Sequence, residues 1–526
     1  MSWTGWLILF IILQIVHGAG TWKFYKAAGR NAWEAFVPVY NAVILMKIIN
    51  RPVWWTVLLF LPVVNLIMFM VIWVETLRSF GYNRALDTAL AVLTGGLYLY
   101  YVNYTQPLVY IENRSLKPRT SSGEWTSSIL FAIVAATIVH TYVMQPFIIP
   151  TPSLEKSLLT GDFLFVSKFH YGPRFPMTPV AAPMVHDTIP ILGIKSYLDR
   201  PQLPYLRLPG LSKVKRNDIV VFNWPVDSVN TYPYNDGKFH YKPIDKKSNY
   251  VKRCVGVPGD TLSIIAGKVH INGKPLELPG RAKIQHSYVF ETKGEQYTDE
   301  QMRSYGITDG FQQGQLVEKD VPGLTVKAAT EEAVAMLEAT GNIVSKEQVV
   351  FSDGGSQRYF PYDGMVGNDY DNFKPFLIPA KGMTTTINYK NIDFYKRIIE
   401  VYEGAEMNIS NTIDFKGNQV LLNGKALTEY KFLQNYYWLM GDNRHNSEDS
   451  RIWGYVPENH VVGKPVFVWM SIDQTKPFSS MVRWDRVFTT VHGSGEPTSY
   501  LVYFVVLLII YFVVRKIMKI QKAKKK

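Results

Sequence analysis

The sequence predicts a multi-pass α-helical membrane anchor joined to a mainly-β exported domain that carries an α/β insertion. Three observations carry that expectation: five apolar stretches close to the length of a bilayer crossing, basic clusters beside them, and short β-branched runs separated by turn residues beyond Pro150.

The stretches are Trp3 to Val16, Val53 to Val74, Leu86 to Val102, Ser128 to Ile149 and Ser499 to Val514. Each is long enough, or nearly so, for a hydrocarbon layer of about 30 Å. The first has no positive residues ahead of it and is followed by Lys23 and Lys26, so it reads as an uncleaved span with its N-terminus outside. Carrying the positive-inside rule onward puts Arg30 inside, the segment near Arg78 outside, and Arg114, Lys117 and Arg119 inside. The fourth span then exits and the fifth returns. Pro150 to Pro497 is left outside, and the tail of Arg515, Lys516, Lys519, Lys522, Lys524, Lys525 and Lys526 inside. Ala35 to Ile49, interrupted by Pro38, reads as an interfacial segment, a re-entrant segment or a sixth span. His140, within the fourth span, is read as a neutral imidazole facing the bundle, with a functional group as the alternative.

Lys+Arg number 56 against 43 Asp+Glu, a formal charge of +13. The excess lies beside apolar runs, and no zinc-finger spacing or RNA-binding aromatic motif accompanies it, so anionic lipid is the expected partner and nucleic acid is not. The single cysteine, Cys254, cannot form an intramolecular disulfide. The ten histidines form no H-E-x-x-H pair, and no Walker A or dinucleotide fingerprint occurs, so neither metal nor cofactor is expected.

In the exported part, Asp218 to Phe222, Thr261 to Ile265, Val269 to Ile271, Val420 to Leu422 and Val466 to Trp469 read as strands. Val269-His-Ile-Asn-Gly-Lys274 and Val420-Leu-Leu-Asn-Gly-Lys425 each run into an Asn-Gly turn, a strong hairpin signal. Thr298-Asp-Glu-Gln301 has the form of a capping box, and Thr330 caps a helix from Glu331 to Ala339 that stops at Gly341. Proline-rich Pro173 to Leu211 reads as a long surface excursion. The expected organisation is a membrane region 1–126, a span 127–149, an exported core in two parts (150–274 and 431–490), an inserted lobe 275–430, a C-terminal span 499–515 and a basic tail 516–526.

Three segments carry chemistry. The first is Phe147-Ile-Ile-Pro-Thr-Pro-Ser-Leu-Glu-Lys-Ser-Leu-Leu-Thr-Gly-Asp162, where Thr151 and Pro152 also suit an N-cap and first helical residue. Ser153-Leu-Glu-Lys156 fits the S-x-x-K signature of penicillin-binding proteins, but the accompanying S-D-N and K-T-G strings do not occur. The second is Tyr250-Val-Lys-Arg-Cys-Val-Gly-Val-Pro-Gly-Asp260. A lysine between apolar neighbours at 252 is unusual for a strand, and desolvation would lower its pKa toward that of a usable base. The third is Tyr437-Trp-Leu-Met-Gly-Asp-Asn-Arg-His-Asn-Ser-Glu-Asp-Ser-Arg-Ile-Trp-Gly-Tyr-Val-Pro457, which alone could be a self-bonded polar loop.

In this order, and after a membrane span, the three segments resemble bacterial type I signal peptidase, the membrane-bound Ser/Lys leader peptidases of peptidase family S26. The family's boxes resemble P-S-x-S-M-x-P-T-L-x-x-G-D, Y-x-K-R-x-x-G-x-P-G-D and G-D-N-R-x-N-S-x-D-S-R-x-W-G. Lys215 to Phe222 looks like its R-G-D-I-V-V-F strand. Thr151, Leu154 and Lys156 stand where the family has Ser, Met and Pro. The resemblance implies a signal-peptidase-like β fold, Ser153 as nucleophile and Lys252 as general base of a serine endopeptidase, with no cofactor. It implies Thr151 as an oxyanion donor, Ser447 as the residue orienting Lys252, and structural roles for Arg253, Asp442, Asp449 and Arg451. Phe147, Ile149, Tyr250 and Val251 would line pockets for small side chains before the scissile bond. Exported preproteins, the bilayer and the secretion machinery are the implied partners, and the outer face of the bacterial cytoplasmic membrane the implied location. A self-cleaving Ser/Lys protease and an inactive membrane scaffold are the competing expectations. Trp484, with Arg483 and Arg486, is read as an interfacial anchor or a plain surface cluster.

Overall fold

The N-terminal quarter forms helices because its leucine-, isoleucine- and valine-rich runs satisfy their own backbone groups. The computed structural model describes residues 3–118, 120–229, 237–316, 320–352, 358–362 and 367–524; Arg119, Lys525 and Lys526 lie outside the described residues. The helices are α1 (Trp3–Ala27), α2 (Tyr40–Ile48), α3 (Trp55–Leu58), α4 (Val64–Ser79), α5 (Ala85–Leu93), α6 (Tyr98–Thr105) and α7 (Ser121–Ile138), the last continuing as a π turn through His140 to Val143.

Among the described residues, three helical stretches are long and apolar enough to cross a bilayer: Trp3–Ala27, Ser121–Val143 and Leu501–Gln521. The expected spans at 53–74 and 86–102 are not continuous helices. The first is broken between α3 and α4 at Pro62, and the second at the Gly95-Gly96 turn between α5 and α6. Neither piece of the second exceeds nine residues, or about 14 Å at 1.5 Å per residue. α2, also nine residues, is too short to be a sixth span. The fourth stretch ends as helix at Val143, and Met144–Ile148 is already a strand.

A buried carboxylate organises this region. Glu75 on α4 pairs with Arg51 after α2 at 2.9 Å, with Arg78 at 3.5 Å and with Arg114, which also donates to Ser79 Oγ at 2.9 Å. Arg78 and Arg114 therefore meet at one carboxylate, whereas the charge pattern put them on opposite sides of the membrane. Phe24, Ile44, Ile72, Leu77 and Val102 pack one apolar core nearby.

The chain divides into two compact units that do not follow sequence order: Met1–Val143 with Arg174–Leu208 and Ser228–Lys247, and Met144–Pro173 with Pro209–Asp227 and Ser248–Lys526. Most of the proline-rich excursion thus belongs with the N-terminal helices. Trp6 Nε1 donates to the Gln202 carbonyl at 2.9 Å, Tyr142 packs edge-on against Phe175, and Val63 joins Ala181 and Tyr197 in a small core.

The second unit is built on an antiparallel sheet of β1 (Met144–Ile148), β2 (Asp162–Ser167), β3 (Ile219–Asn223), β4 (Asn249–Gly256), β5 (Tyr436–Met440), β6 (Val456–Pro457), β7 (Val461–Ser471) and β8 (Thr489–Thr490). The order is β1-β2-β7-β3-β4-β5-β6, with β8 on β7. β3 and β5 are buried at every residue, which is why they read as unbroken apolar runs rather than alternating ones. Register places Val220 opposite Lys252, and Arg253 opposite Met440.

The region between β4 and β5 holds both expected hairpins: Ile271 pairs Lys274, and Leu422 pairs Lys425, across Asn-Gly turns with positive φ at each turn residue. Its four-stranded sheet (311–316, 321–329, 286–292, 343–348) packs against two helices, α8 (Asp299–Ser304) and α9 (Glu331–Ala339). Thr298 and Gln301 form the reciprocal capping box, and the Thr330 hydroxyl accepts from Ala333 N.

The Glu75 hub is testable by labelling. In a Cys254→Ser background, cysteines at exposed Asn83 and Ser115 should react with an impermeant maleimide from the same side of sealed vesicles. Labelling from opposite sides would restore a full crossing between them.

Candidate active site

The serine segment leaves β1, makes a single 3-10 turn at Pro152–Leu154, and returns into β2. Thr151 occupies the N-cap position with extended φ and ψ, but its side chain makes no capping hydrogen bond. Its exposed hydroxyl is therefore not committed to the helix end. Ser153 is 7% exposed, and Leu154 beneath it is fully buried.

The turn is fixed by the third segment. Asn443 N donates to the Ser153 carbonyl at 3.1 Å, and Asn443 Nδ2 to the Pro152 carbonyl at 3.3 Å. Gly441 lies between this turn and Ser447: a Cβ there would sit 2.6 Å from the Ser153 carbonyl oxygen and 2.2 Å from Ser447 Oγ. Any side chain at 441 would push the two serines apart. Gly161, at the far end of the serine segment, is equally constrained, with φ +89° and the Ile472 carbonyl oxygen 1.9 Å from where a Cβ would lie. Asp162 next to it accepts from Ser471 Oγ at 2.7 Å and pairs with Arg486, while Arg483 donates to the Thr160 carbonyl at 2.9 Å. The two arginines read as flanking an interfacial Trp484 thus brace the serine segment, and the Trp484 ring is left exposed.

Lys252 projects from β4 and is 3% exposed. Burial lowers its ammonium to about 8; Asp449 opposes that shift, Arg451 adds to it, and Glu448 and Asp442 oppose it. Asp449 Oδ2 accepts from Ser447 Oγ at 3.0 Å and from Gly441 N at 3.0 Å, and its carboxylate forks with Arg451 at 2.8 Å and 2.9 Å. Burial alone would raise this carboxyl, but Arg451 and these donors hold it below the usual range. Ser447 and Asp449 therefore link the turn holding Ser153 to the charge environment of Lys252. Among the described residues Ser153 Oγ and Lys252 Nζ make no direct hydrogen bond, as is common where catalytic contacts tighten only around substrate.

Behind the site, Arg253 donates to Asp442 at 2.7 Å and 2.6 Å, to the Asn217 carbonyl at 2.9 Å and to Ser157 Oγ at 3.4 Å. Burial would raise the Asp442 carboxyl, and Arg253 holds it down. One buried guanidinium thus ties together the serine, lysine and Gly-Asp-Asn-Arg segments.

Lys156 has φ +70°, outside the range a proline ring permits, so the chain after Ser153 takes a path on which proline cannot stand. Burial lowers the Lys156 amine and raises the neighbouring Glu155 carboxyl. Of the four expected pocket residues, Phe147, Ile149 and Val251 pack together against Leu154. Tyr250 joins a separate cluster, stacked on Trp224 at 5.2 Å and edge-on to Trp453 at 5.4 Å. Adjacent strand residues point to opposite faces, which separates 250 from 251.

The family described as signal peptidase, peptidase S26, matches residues 122–336 and 377–470, more than half of the chain. The chain belongs to that family. A second match, to a family of unknown function (DUF5684), covers residues 33–113. Curated relatives include signal peptidase I of Haemophilus influenzae, 24% identical over 72% of this chain and 79% of its own length. Signal peptidase I of Helicobacter pylori is 24% identical over 70% and 92%, and that of Rickettsia canadensis 21% over 73% and 99%. The S26 enzyme described here is accordingly a serine protease of the signal peptidase type.

Sequence reasoning missed contacts from the inserted lobe. Asp309 accepts from Asn443 Nδ2 at 2.5 Å, and Tyr370 and Asp371 reach the Arg444–Ser447 loop. Ser287, His445 and Asp371 superficially suggest a second triad, with Nδ1 to Ser287 Oγ at 2.9 Å and Nε2 to Asp371 at 2.9 Å. All three are buried, Nδ1 accepts from Ser287 N at 3.0 Å, and the Ser287 hydroxyl donates to the Lys327 carbonyl at 2.5 Å. The serine proton faces away from the imidazole, so the cluster pins the lobe rather than making a nucleophile. No motif announces these residues; only the fold brings them here.

Two outcomes follow for stability. Lys252→Met should raise stability by about 2 kcal/mol at neutral pH. Below about 8 both folded and unfolded lysine are protonated and the burial penalty is complete; between about 8 and the unfolded value of about 10.4 only the unfolded state holds the proton, so the penalty fades. Denaturant titrations should therefore show the gain shrinking as pH rises through that window. Lys156→Gly should fold and cleave at least as well as the wild type, whereas Lys156→Pro should lose most activity.

Proposed function

We propose that Ser153 and Lys252 form the hydrolytic dyad with which this signal peptidase removes signal peptides from exported preproteins. The observation that carries the assignment is the buried Lys252 amine, lowered to about 8, beside an Asp449 that also receives the Ser447 hydroxyl. Neutral Lys252 takes the proton of Ser153 Oγ, which attacks the scissile carbonyl carbon. The Ser153 backbone N–H and the Thr151 hydroxyl hold the oxyanion. Collapse expels the new N-terminal amine, which takes its proton from the Lys252 ammonium, and leaves an acyl-enzyme. Lys252 then deprotonates a water that hydrolyses the ester, and Ser153 regains its proton.

Phe147 and Val251, half-buried against the core of Ile149 and Leu154, would meet small side chains at −1 and −3, with Tyr250 flanking Lys252 at 5.9 Å from ring centroid to amine. The substrate would lie extended alongside the strands that carry these residues. For the anchor, three crossings, at α1, α7 and the C-terminal helix, keep the N-terminus and Pro150 to Pro497 on the outer face of the bacterial cytoplasmic membrane and Arg30, Arg51, Arg78 and Arg114 on the inner side, with the turn at Val63 reaching up to Ala181 and Tyr197. The short helices between α1 and α7 would then be re-entrant from the inner face. Placing Ser153 just beyond α7 raises the effective concentration of a signal peptide lodged in the same bilayer, and makes the secretion machinery a natural neighbour.

The test uses full-length enzyme in detergent with a preprotein ending its signal in Ala-x-Ala. Ser153→Ala and Lys252→Ala should each lower kcat/KM by at least about a thousandfold, and the wild-type acid limb should titrate near 8. Either variant cleaving at the wild-type rate would dismiss the dyad.

A further inference from the structure

The segment between the two stretches matched by the peptidase family, residues 337–376, contributes a side chain to the heart of the site. Asp369 Oδ1 accepts from the backbone of Asp371 at 3.2 Å and of Asn372 at 2.8 Å, a tight turn that presents Tyr370 and Asp371 side by side. The turn is sewn to the hairpin after β4, where Ala266 N donates to Asn372 Oδ1 at 2.9 Å and Gly267 N to the Asp371 carbonyl at 2.8 Å.

From this rigid mount the single Tyr370 hydroxyl proton is shared between the carbonyls of Arg444 at 2.9 Å and Ser447 at 3.0 Å, bracketing the loop that carries Ser447. Its ring lies under the Arg451 guanidinium at 4.1 Å, inside the range of a cation–π contact. Arg451 Nη2 also donates to the Arg444 carbonyl at 2.6 Å, closing a circuit of Tyr370, Arg451 and the loop. Asp371 holds the same loop from outside through His445. Ser447 faces the Ser153 turn across Gly441, and Arg451 forks with Asp449, whose charge acts on Lys252, so both arms of the circuit end near Ser153 and Lys252.

Resting on the Ser153/Lys252 reading, we propose that Tyr370 is a positioning residue for peptide hydrolysis, setting the height of Ser447 through its hydroxyl and the alignment of the Arg451–Asp449 pair through its ring. Tyr370 does not touch the reacting atoms. The charged groups acting on Lys252 are Asp449, Arg451, Glu448 and Asp442. Loosening Arg451 leaves Asp449 less neutralised, and a less neutralised carboxylate favours the lysine ammonium, so the base deprotonates at higher pH.

The experiment measures kcat, KM and the pH profile of full-length Tyr370→Phe and Tyr370→Leu on a preprotein, with the melting temperature of each. Tyr370→Phe, which keeps the ring, should lower kcat about tenfold with KM and acid limb unchanged. Tyr370→Leu should also move the acid limb up by about half a pH unit. In a Ser447→Ala background Tyr370→Phe should cost little more, because its hydroxyl acts through Ser447. Wild-type kcat in both variants, losses that add fully to Ser447→Ala, or a fall in Tyr370→Leu activity that follows melting temperature with an unmoved acid limb would each overturn the inference. A fully active Lys252→Ala control would instead remove the dyad on which it rests.

Discussion

A single buried ion pair holds the chemistry of this enzyme in register. Arg253 follows Lys252 on the same strand, and Asp442 lies one residue before Asn443, which grips the turn of Ser153. Fixing the Arg253–Asp442 fork therefore fixes, one residue away on each side, Lys252 and the clamp on the Ser153 turn. Removing one member of such a pair strands a charge in the interior, at a cost of about 3–5 kcal/mol. The additional donations from Arg253 to Asn217 and Ser157 distribute the guanidinium among three parts of the chain, so each of its three nitrogens has an acceptor.

Against this rigid frame Lys252 is a deliberate instability. Burial lowers its ammonium to about 8, so the protonated form is unwelcome in the interior. Asp449 limits the penalty, yet Asp449 is itself largely satisfied by Arg451, Ser447 and Gly441, so it moderates the lysine without capturing it. A direct Lys252–Asp449 ion pair would stabilise the ammonium and raise the pH at which the amine becomes neutral.

Much of the catalytic unit was legible in the sequence because its demands are local. Asn-Gly turns need positive φ, Thr298 and Thr330 cap helices with their own hydroxyls, and the three boxes carry fixed polar residues at fixed spacing. The membrane region was less legible. Hydropathy reports how apolar a segment is but not whether it is continuous, and the Pro62 and Gly95-Gly96 breaks redirect chains whose composition would allow them to cross. Arg78 was read as an outward charge because its partner, Glu75, lies three residues before it and the other arginines of that hub lie far off in sequence. Tyr370 and Asp309 gave no signal for a related reason: a tyrosine or an aspartate in an irregular insertion carries no period and no motif, and gains meaning only from what the fold sets against it.

The division of the chain also bears on its synthesis. The N-terminal unit is assembled from Met1–Val143, Arg174–Leu208 and Ser228–Lys247, with a strand pair of the other unit made in between. A ribosome delivers these pieces in order, so the helices near the N-terminus must wait, without the residues that pack against Trp6 and Val63, until more than a hundred further residues have emerged. For that interval the surfaces that Trp6 and Val63 later share with Gln202, Ala181 and Tyr197 lack their partners, so the N-terminal unit cannot close before that stretch of chain has been made.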